Sequence, residues 1–259
     1  MRICYTLLSP TFGMHQYTAD LANRMVRSGH EVSLVTSRHY PSDRYLPDVE
    51  VRATVGARDT GFSAGALQVR EVRAARAEIG ALRPDVVHFT GPHAWNVALL
   101  WLLRRARIPV VHSLHDLEPH SGAAYGRLLH LWNQGVIRQA DILLVHGQCY
   151  RRRLEEMGIP AGRLTHTPLL HLSLGVSWLD QVEDAIQGVE HQPWALFFGR
   201  LERYKGVDHL LTAAAKLDGL PDAGPRLVLA GPGRLEALWT GPLPPGRVAA
   251  DARAAASLR

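Results

Sequence analysis

Short apolar runs alternate along the chain with stretches in which apolar residues recur every three or four positions. The first run, residues 3–8, ends at Pro10. After Gly13 the apolar residues return at helical spacing and continue to Gly29, where a glycine supplies a left-handed cap. Residues 31–36 then alternate as a strand does. The chain is therefore predicted to open with a strand, a glycine loop, a helix and a second strand.

The alternation continues to about residue 170 and predicts the same kinds of element. Helices are predicted at residues 66–82, 94–105, 128–139 and 150–157, and strands at residues 86–89, 109–114 and 141–145. Strands that alternate with helices are typical of a parallel sheet covered by helices on both faces. Such sheets bind ligands at the carboxyl ends of their strands. The predicted fold class is therefore α/β.

A break in the pattern divides the chain into two predicted domains, residues 1–175 and residues 194–239. The predicted elements of the smaller second domain are strands at residues 194–198 and 226–230 and a helix at residues 207–217. Residues 176–193 are predicted to form a linker that contains a helix at residues 178–186. The tail, residues 240–259, is rich in Pro, Gly, Ala and Arg and is predicted to be disordered.

Composition excludes several classes of protein. The 259 residues are 46% hydrophobic and 20% charged, a balance typical of globular chains. No apolar run reaches the roughly 20 residues that span a bilayer, and the start of the chain lacks the pattern of a signal peptide. We therefore expect a cytoplasmic protein. Cys4 and Cys149 lie far apart and are expected to remain free thiols.

The net charge of +5 arises from 29 Lys and Arg against 24 Asp and Glu. This mild excess favours anionic partners such as phosphates, acidic glycans or membrane headgroups. Nucleic acid is not an expected partner, because the chain has no zinc-finger spacing, no RNP-type aromatic motif and no sustained basic run. Arg70, Arg73 and Arg76 recur at three-residue spacing on a predicted helix. A solvated face and a peripheral contact with the cytoplasmic side of a membrane are both open interpretations.

Histidines and carboxylates cluster in one short segment, formed by His112, His115, Asp116, Glu118 and His120. Residues of these types can ligate a metal ion. Their spacing does not fit a compact helical pair of ligands, and part of the segment is a strand end, so no metal is expected. His88, inside an apolar strand, is predicted to be a hydrogen-bonded core histidine, and the role of His93 is open.

Five segments resemble, in order and spacing, the retaining glycosyltransferases of family 4. PTFGMHQYTADLANRMVRSGHEVSLVT is similar to the opening of that family's first domain, and LRPDVVHFTGPH, IPVVHSLHD and ADILLVHG are similar to its later strands. LFFGRLERYKGVDHLLTAAAKL followed by LVLAGPG resembles the start of its second domain. The resemblance covers about residues 1–170 and 194–233. It implies the two-domain GT-B fold, here with one complete Rossmann-like domain and an incomplete second one.

The resemblance also implies an activity: transfer of a sugar from a nucleotide-diphosphate donor to a glycan or lipid-linked acceptor, with retention of configuration. It implies no cofactor and no obligatory metal. His115 is the implied catalytic residue, because a histidine at this strand end contacts the donor sugar in the family; a core or capping role is the alternative. Asp116 and His120 are the acceptor-side candidates. His15 is a further one, against the interpretation of a surface histidine at a helix start.

Arg200 and Lys205 are candidate ligands of the donor diphosphate, with solvated loop cations as the alternative. Breaking a sugar–diphosphate bond builds negative charge on the leaving group, so fixed cations and a helix N-terminus should face it. Both residues flank the loop before the helix predicted at residues 207–217. Gly13 is a third candidate, because a Cβ there would obstruct both the turn and the ligand; a plain turn glycine is the alternative. The family usually has two adjacent glycines, whereas Phe12 precedes Gly13 here.

The second domain departs from the family pattern. In the family it continues far beyond the equivalent of Gly231 and carries an E-x7-E motif that holds the donor sugar. Here Glu236 is the only glutamate after Gly231. We therefore expect a truncated second domain and little or no transferase activity from this chain alone. The alternatives are a catalytically inactive fragment and a non-enzymatic binding or scaffold protein that retains the acceptor domain. A sugar-nucleotide epimerase of the same fold is not favoured by the KGVD and HSLHD segments.

Overall fold

A computed structural model describes most of the chain as two compact units. The described residues are 1–56, 61–62, 68–117, 126–169, 194–217, 226–231, 233–241 and 248–250. The first unit comprises Met1–Pro119 and Ala123–Gly175, and the second comprises His120–Gly122 and Val176–Arg259. Each unit has its own parallel sheet and its own hydrophobic core.

The first unit contains a seven-stranded sheet in the order β3-β2-β1-β4-β5-β6-β7, with every neighbouring pair parallel. Its strands are β1 (Arg2–Leu7), β2 (Glu31–Ser37), β3 (Glu50–Val55), β4 (Val86–Phe89), β5 (Val110–Leu114), β6 (Ile142–Val145) and β7 (Leu164–His166). The strand order reverses between β1 and β4, which pair directly, with Tyr5 opposite His88. The ligand crevice of an open α/β sheet lies beside such a reversal.

Helices of the first unit bury one apolar face each against this sheet. They are α1 (Phe12–Arg27), α2 (Val69–Ala81), α3 (Asn96–Arg105), α4 (Gly126–Gln139) and α5 (Gln148–Glu156). Alternate residues of β1 enter different cores: Cys4 belongs to one cluster, whereas Ile3, Tyr5 and Leu7 belong to the other. Because successive strand residues point to opposite faces, the sheet is covered on both sides. The predicted α/β architecture is confirmed.

Two edge strands of the first unit, β3 and β7, were not predicted. Most residues of β3 are exposed or half-buried, and β7 has only three residues, Leu164–His166. An edge strand has no neighbour on one side and here needs no continuous apolar run, so the hydrophobic pattern does not reveal it. The central strands, which are buried, were predicted with bounds that agree within two residues.

The second unit is a smaller parallel α/β arrangement. Its strands, in the order β10-β9-β8, are β8 (Trp194–Phe198), β9 (Arg226–Ala230) and β10 (Val248–Ala250), and its helix is α6 (Val207–Leu217). Val207 and Leu211 of α6 are buried against Leu227 and Leu229 of β9 in one cluster. The bounds predicted for β8, β9 and α6 are confirmed.

The predicted tail and linker have different outcomes. Val248–Ala250 lies in the segment predicted to be disordered, and that prediction is wrong for these residues, because they pair in parallel with β9. Their backbone groups complete a sheet ladder, which does not require strong hydropathy. The helix predicted at residues 178–186 lies outside the described residues, as does most of the predicted linker. Among the described helices, none combines the length and the apolar character that crossing a membrane would require.

Candidate functional site

Polar side chains gather at the carboxyl edge of the first unit's sheet. Thr90 follows β4, His115 follows β5 and His146 follows β6. These three strands are neighbours and run parallel, so the residues that follow them meet at one edge. Tyr17, from the second turn of α1, reaches the same edge. We define these residues, together with Ser113 of β5, as the histidine edge.

His115 is held in one orientation by a backbone hydrogen bond. Its Nε2 lies 2.8 Å from the carbonyl oxygen of Thr90, so Nε2 carries the proton and donates. Burial lowers the pKa of His115 below its ordinary value, which keeps the ring neutral at neutral pH. In that tautomer Nδ1 is a hydrogen-bond acceptor. A neutral acceptor nitrogen at this position is suited to a substrate hydroxyl.

Three rings of the histidine edge pack around one another. Tyr17 lies edge-on to His115, with centroids 5.0 Å apart, and edge-on to His146, with centroids 5.1 Å apart. The His115 and His146 centroids are also 5.1 Å apart. His146 Nδ1 lies 2.8 Å from the carbonyl oxygen of Thr167, to which it donates. This packing limits the movement of His115.

Ser113 links the histidine edge to the core of the sheet. Its hydroxyl lies 3.1 Å from the Tyr17 hydroxyl and 2.8 Å from His88 Nε2. His88 is buried, and burial lowers its pKa to about 3. The prediction of a hydrogen-bonded core histidine is confirmed for His88. Sequence reasoning did not single out Tyr17, Ser113 or His146, although the position of His146 directly after a strand was a signal of the same kind as that of His115.

His112 has both ring nitrogens engaged within the first unit. Nε2 lies 3.1 Å from the amide nitrogen of Asn96, and Nδ1 lies 2.9 Å from the carbonyl oxygen of Ser113. Burial lowers the pKa of His112 to about 3. The ring is therefore neutral, donates through Nδ1 and accepts through Nε2. Within the described part of the chain, no group of three or more histidine, cysteine or acidic side chains could hold a metal ion.

His93 is buried as well. The backbone N–H of Trp95 donates to His93 Nδ1 at 3.2 Å, and the indole N–H of Trp132 donates to the His93 carbonyl oxygen at 2.9 Å. Burial lowers the pKa of His93 to about 4. The backbone of His93 thus joins the loop after β4 to helix α4, while its side chain accepts a hydrogen bond within that loop.

A cavity of about 340 Å³ adjoins His115 in the first unit. Its apolar lining residues are Phe62, Pro92, Leu114, Leu128, Leu129 and Trp132, and its polar lining residues are His112, Ser113, His115, Asp116 and Asn133. The Phe62 and Trp132 rings meet edge to face, with centroids 5.4 Å apart. The cavity has the size of a small-molecule site.

The predicted candidates on helix α1 occupy different places from those expected. Gly13 lies in the first turn of α1 rather than in a loop, and a Cβ added there would meet nothing within 4 Å. The prediction that a Cβ would obstruct the turn is therefore wrong, because the backbone is helical. His15 is fully buried, so a surface position is also wrong. Its Nδ1 lies 2.8 Å from the Tyr45 hydroxyl, and burial lowers its pKa to about 4.

Of the two predicted acceptor-side candidates that follow His115, only Asp116 lies in the described part of the chain. Asp116 is exposed and lines the cavity, next to His115. His120 lies outside the described residues. Because Asp116 directly follows His115 in the sequence, both residues lie at the same strand end. The acceptor-side roles of Asp116, His120 and His15 remain predictions.

Arg200 and Lys205 belong to the second unit, in the loop between β8 and α6. Arg200 Nη1 lies 3.0 Å from Glu202 Oε1, and both side chains are exposed. Lys205 Nζ lies 5.3 Å from the centroid of the Tyr204 ring. Lys205 precedes Gly206, which has a φ of 73° and directly precedes α6. Lys205 thus stands near the N-terminus of α6. A cleft shared by Arg200, Lys205, His115 and Gly13 remains a prediction.

Comparison with known proteins adds a family match and several relatives. The family model of the glycosyl transferase 4-like domain matches residues 12–169. D-inositol 3-phosphate glycosyltransferase from Mycobacterium avium (strain 104) is 29% identical over 241 residues, which are 85% of this chain and 55% of that protein. The proteins of the same name from Corynebacterium aurimucosum and Mycolicibacterium smegmatis are 26% and 27% identical, with coverage of 85% of this chain and 57% and 54% of their own lengths. The chain spans about half the length of the curated relatives it matches.

Solved structures share the fold at low sequence identity. UDP-GlcNAc 2-epimerase from Neisseria meningitidis bound to UDP-GlcNAc superposes with a TM-score of 0.63 at 14% identity, over 96% of this chain and 72% of that one. HepE from Anabaena in complex with UDP and glucose superposes with a TM-score of 0.60 at 16% identity, over 97% and 69%. Identity this low shows the fold alone. The predicted fold class, α/β of the GT-B type, is confirmed.

Proposed function

Since the chain belongs to the glycosyl transferase 4-like family, we propose that it takes part in transferring a sugar from a nucleotide-diphosphate donor to a hydroxyl-bearing acceptor. The observation that carries the proposal is His115, which stands inside the matched region at the carboxyl end of β5. Its neutral ring is held by Thr90 and presents Nδ1 as an acceptor. That nitrogen accepts a hydrogen bond from a hydroxyl of the donor sugar and orients the sugar for transfer.

The transfer step breaks the bond between the anomeric carbon and the diphosphate oxygen, and the electron pair stays on that oxygen. The acceptor oxygen forms the new bond to the anomeric carbon on the same face, so configuration is retained. The acceptor proton passes to the leaving diphosphate. Arg200, Lys205 and the N-terminus of α6 lower the barrier by stabilising the charge that develops on the diphosphate.

The donor class is supported by the neighbours of this fold. The Neisseria epimerase is bound to UDP-GlcNAc, and the Anabaena protein is in complex with UDP and glucose. We therefore propose a UDP-sugar as the donor to test first. The curated relatives are named for D-inositol 3-phosphate, which makes that compound a first acceptor to test, beside glycan and lipid-linked acceptors.

The setting of the reaction is proposed to be the cytoplasm, with the enzyme in peripheral contact with the membrane when the acceptor is lipid-linked. Arg70 and Arg73 of α2 are exposed and Arg76 is half-buried, while Val72, Ala75 and Ile79 of the same helix face the core. This arrangement supports a solvated basic face, and binding to anionic vesicles would extend its role to membrane contact.

An inactive or non-enzymatic binding role is the second candidate, because the oriented ring of His115 and the cavity beside it could hold a ligand without transferring a sugar to it. The deciding experiment compares the 259-residue chain with a chimaera extended by the corresponding C-terminal part of the Mycobacterium avium relative. Both are titrated calorimetrically with UDP-glucose and UDP-GlcNAc, and products are detected by mass spectrometry. We expect multiple turnovers from the chimaera. Donor binding without product in either protein would favour the second candidate.

His115 is tested within that chimaera. Removing one hydrogen bond to a bound sugar costs about 1 to 3 kcal/mol, so His115→Ala should lower kcat/KM by about tenfold to a hundredfold. His130→Ala is the control, because His130 is exposed on α4 and is not part of the histidine edge. Equal kcat/KM values for the His115→Ala and His130→Ala variants would contradict the proposed hydrogen bond from the donor sugar to His115.

A further inference from the structure

The cavity beside His115 differs in character from a site for a charged sugar phosphate. Six of its described lining residues are apolar, and two of these, Phe62 and Trp132, form an aromatic corner. The Trp132 ring is also edge-on to His112, with centroids 5.8 Å apart, and its indole N–H is engaged by the His93 carbonyl oxygen. Trp132 therefore offers the cavity ring surface rather than a hydrogen-bond donor.

The described lining offers no cation. It contains no lysine and no arginine, and its one charged side chain is the carboxylate of Asp116. Burial lowers the pKa of both His112 and His115, so neither ring carries a positive charge at neutral pH. Against the described lining, a phosphate would lose its hydration without gaining an opposite charge from these residues, which is strongly unfavourable. An uncharged apolar group, in contrast, binds favourably because its surface is removed from water.

The polar lining residues are confined to one strand end and one helix position. His112, Ser113, His115 and Asp116 all come from β5 and the residues that follow it, whereas Asn133 comes from α4. The amide N–H group of Asn133 donates to the carbonyl oxygen of Leu117 at 2.9 Å, whereas its buried Oδ1 has no hydrogen-bond partner among the described residues. A ligand in the cavity can therefore place a hydroxyl near His115 and its apolar part against Trp132 and Leu128.

We propose that this cavity binds the apolar group of an uncharged acceptor, a group about the size of one substituted ring. The proposal rests on the transferase function above and specifies its substrate class. The hydroxyl to be glycosylated lies on the His115 side, and the apolar group is buried between Trp132, Phe62 and the leucines of α4. Acceptors that lack such a group bind more weakly.

The test measures binding in the absence of any donor. Phenyl β-D-glucoside, methyl β-D-glucoside and D-inositol 3-phosphate are titrated into the 259-residue chain by calorimetry. We expect the phenyl compound to bind at least tenfold more tightly than the other two. Leu128→Arg should weaken its binding at least tenfold, and because Leu128 is 58% exposed this change does not disturb the core. Leu131→Arg is the matched control, since Leu131 lies on the same helix, is 67% exposed and does not line the cavity.

A second measurement locates the ligand directly. Nuclear Overhauser contacts between the phenyl protons and the Trp132 indole are expected in the unaltered protein and in Leu131→Arg. Equal affinity for the phenyl and methyl compounds, phenyl binding that Leu128→Arg leaves unchanged, or tighter binding of D-inositol 3-phosphate in this cavity would each overturn the proposal.

The outcomes separate this inference from the proposed function. If phenyl β-D-glucoside binds with the expected dependence on Leu128 but the chimaera forms no product with any UDP-sugar, the cavity assignment stands and the transferase proposal fails. If the chimaera glycosylates a small polar acceptor as fast as an acceptor with a phenyl group, the transferase proposal stands and the assignment of the cavity is overturned.

Discussion

Four buried histidines among the described residues make the stability of this fold sensitive to pH. His15, His88, His93 and His112 are all buried, and burial lowers the pKa of each, to about 4, 3, 4 and 3 respectively. A neutral imidazole can both donate and accept a hydrogen bond, and His112 does so with Ser113 and Asn96. Protonation would remove the acceptor and place a charge in the core.

The stability of the protein should therefore fall as the solution becomes acidic. Below the ordinary histidine pKa of 6.5 the unfolded chain takes up protons that the folded chain does not, until pH reaches the folded values of about 3 to 4. Each such histidine steepens the pH dependence of the free energy of unfolding by up to about 1.4 kcal/mol per pH unit. Urea unfolding between about pH 7 and pH 5 should show stability rising with pH. His112→Gln should reduce the slope, and His130→Gln, at an exposed position, should not. A slope that His112→Gln leaves unchanged would contradict this account.

Helix and strand ends decide where chemistry is possible in the first unit. Because β4, β5 and β6 are parallel neighbours, Thr90, His115 and His146 arrive at one edge without any special loop. At the amino ends of the strands, carboxylates cap backbone N–H groups. Asp85 accepts a hydrogen bond from the backbone N–H of Arg2, and Asp141 accepts one from the backbone N–H of Val110. The strand order thus places binding groups at one end of the sheet and structural caps at the other.

In the second unit, close approach between two strand ends requires glycine. Gly231, after β9, has a φ of 143°, and a Cβ there would collide with the carbonyl oxygen of Gly199, after β8. Gly231→Ala should destabilise this unit by about 2 kcal/mol or more, because both the backbone conformation and the contact are unfavourable. Gly162→Ala is the control, since a Cβ there meets nothing within 4 Å. Hydrogen exchange of the β8 and β9 amides would reveal the loss, and equal exchange in both variants would refute it.

At the scale of the whole molecule, the two units have separate cores of different size. Among the described residues, the first unit buries two clusters, one on each face of a seven-stranded sheet, whereas the second buries one smaller cluster around a three-stranded sheet. Hydrophobic stabilisation scales with the apolar area removed from water, so the smaller core should support the less stable unit.

Hydrogen exchange should resolve that difference. Amides of β8 and β9 are expected to exchange faster than those of β4 and β5, because local opening costs less where fewer apolar groups are buried. Leu229→Ala and Leu143→Ala each remove a fully buried leucine, one from each unit, at a cost of about 2 to 5 kcal/mol. Each change should accelerate exchange in its own unit. Acceleration of both sheets by either substitution would show that the units unfold together.

The alternation of apolar runs and helical spacing was enough to predict the parallel α/β class, the central strands and the position of His115 after β5. In buried strands and amphipathic helices, the spacing of the apolar residues shows which positions are buried. Local sequence therefore contains that information. Family-like motifs such as IPVVHSLHD predicted a binding role for the same strand end. That part of the site follows from chain order, because a residue that follows a buried parallel strand lies at the ligand edge.

Only the tertiary structure decided the rest. The edge strand β3 lacks a buried pattern. His15 was predicted at the surface, but it is buried and hydrogen-bonded to Tyr45, thirty residues away. Tyr17 meets Ser113 across 96 residues of sequence. Hydrophobic period encodes whether a position is buried, but not which distant side chain it will meet, because that depends on strand order and on helix packing. The neutral, oriented state of His115 and the apolar cavity beside it are products of those long-range contacts.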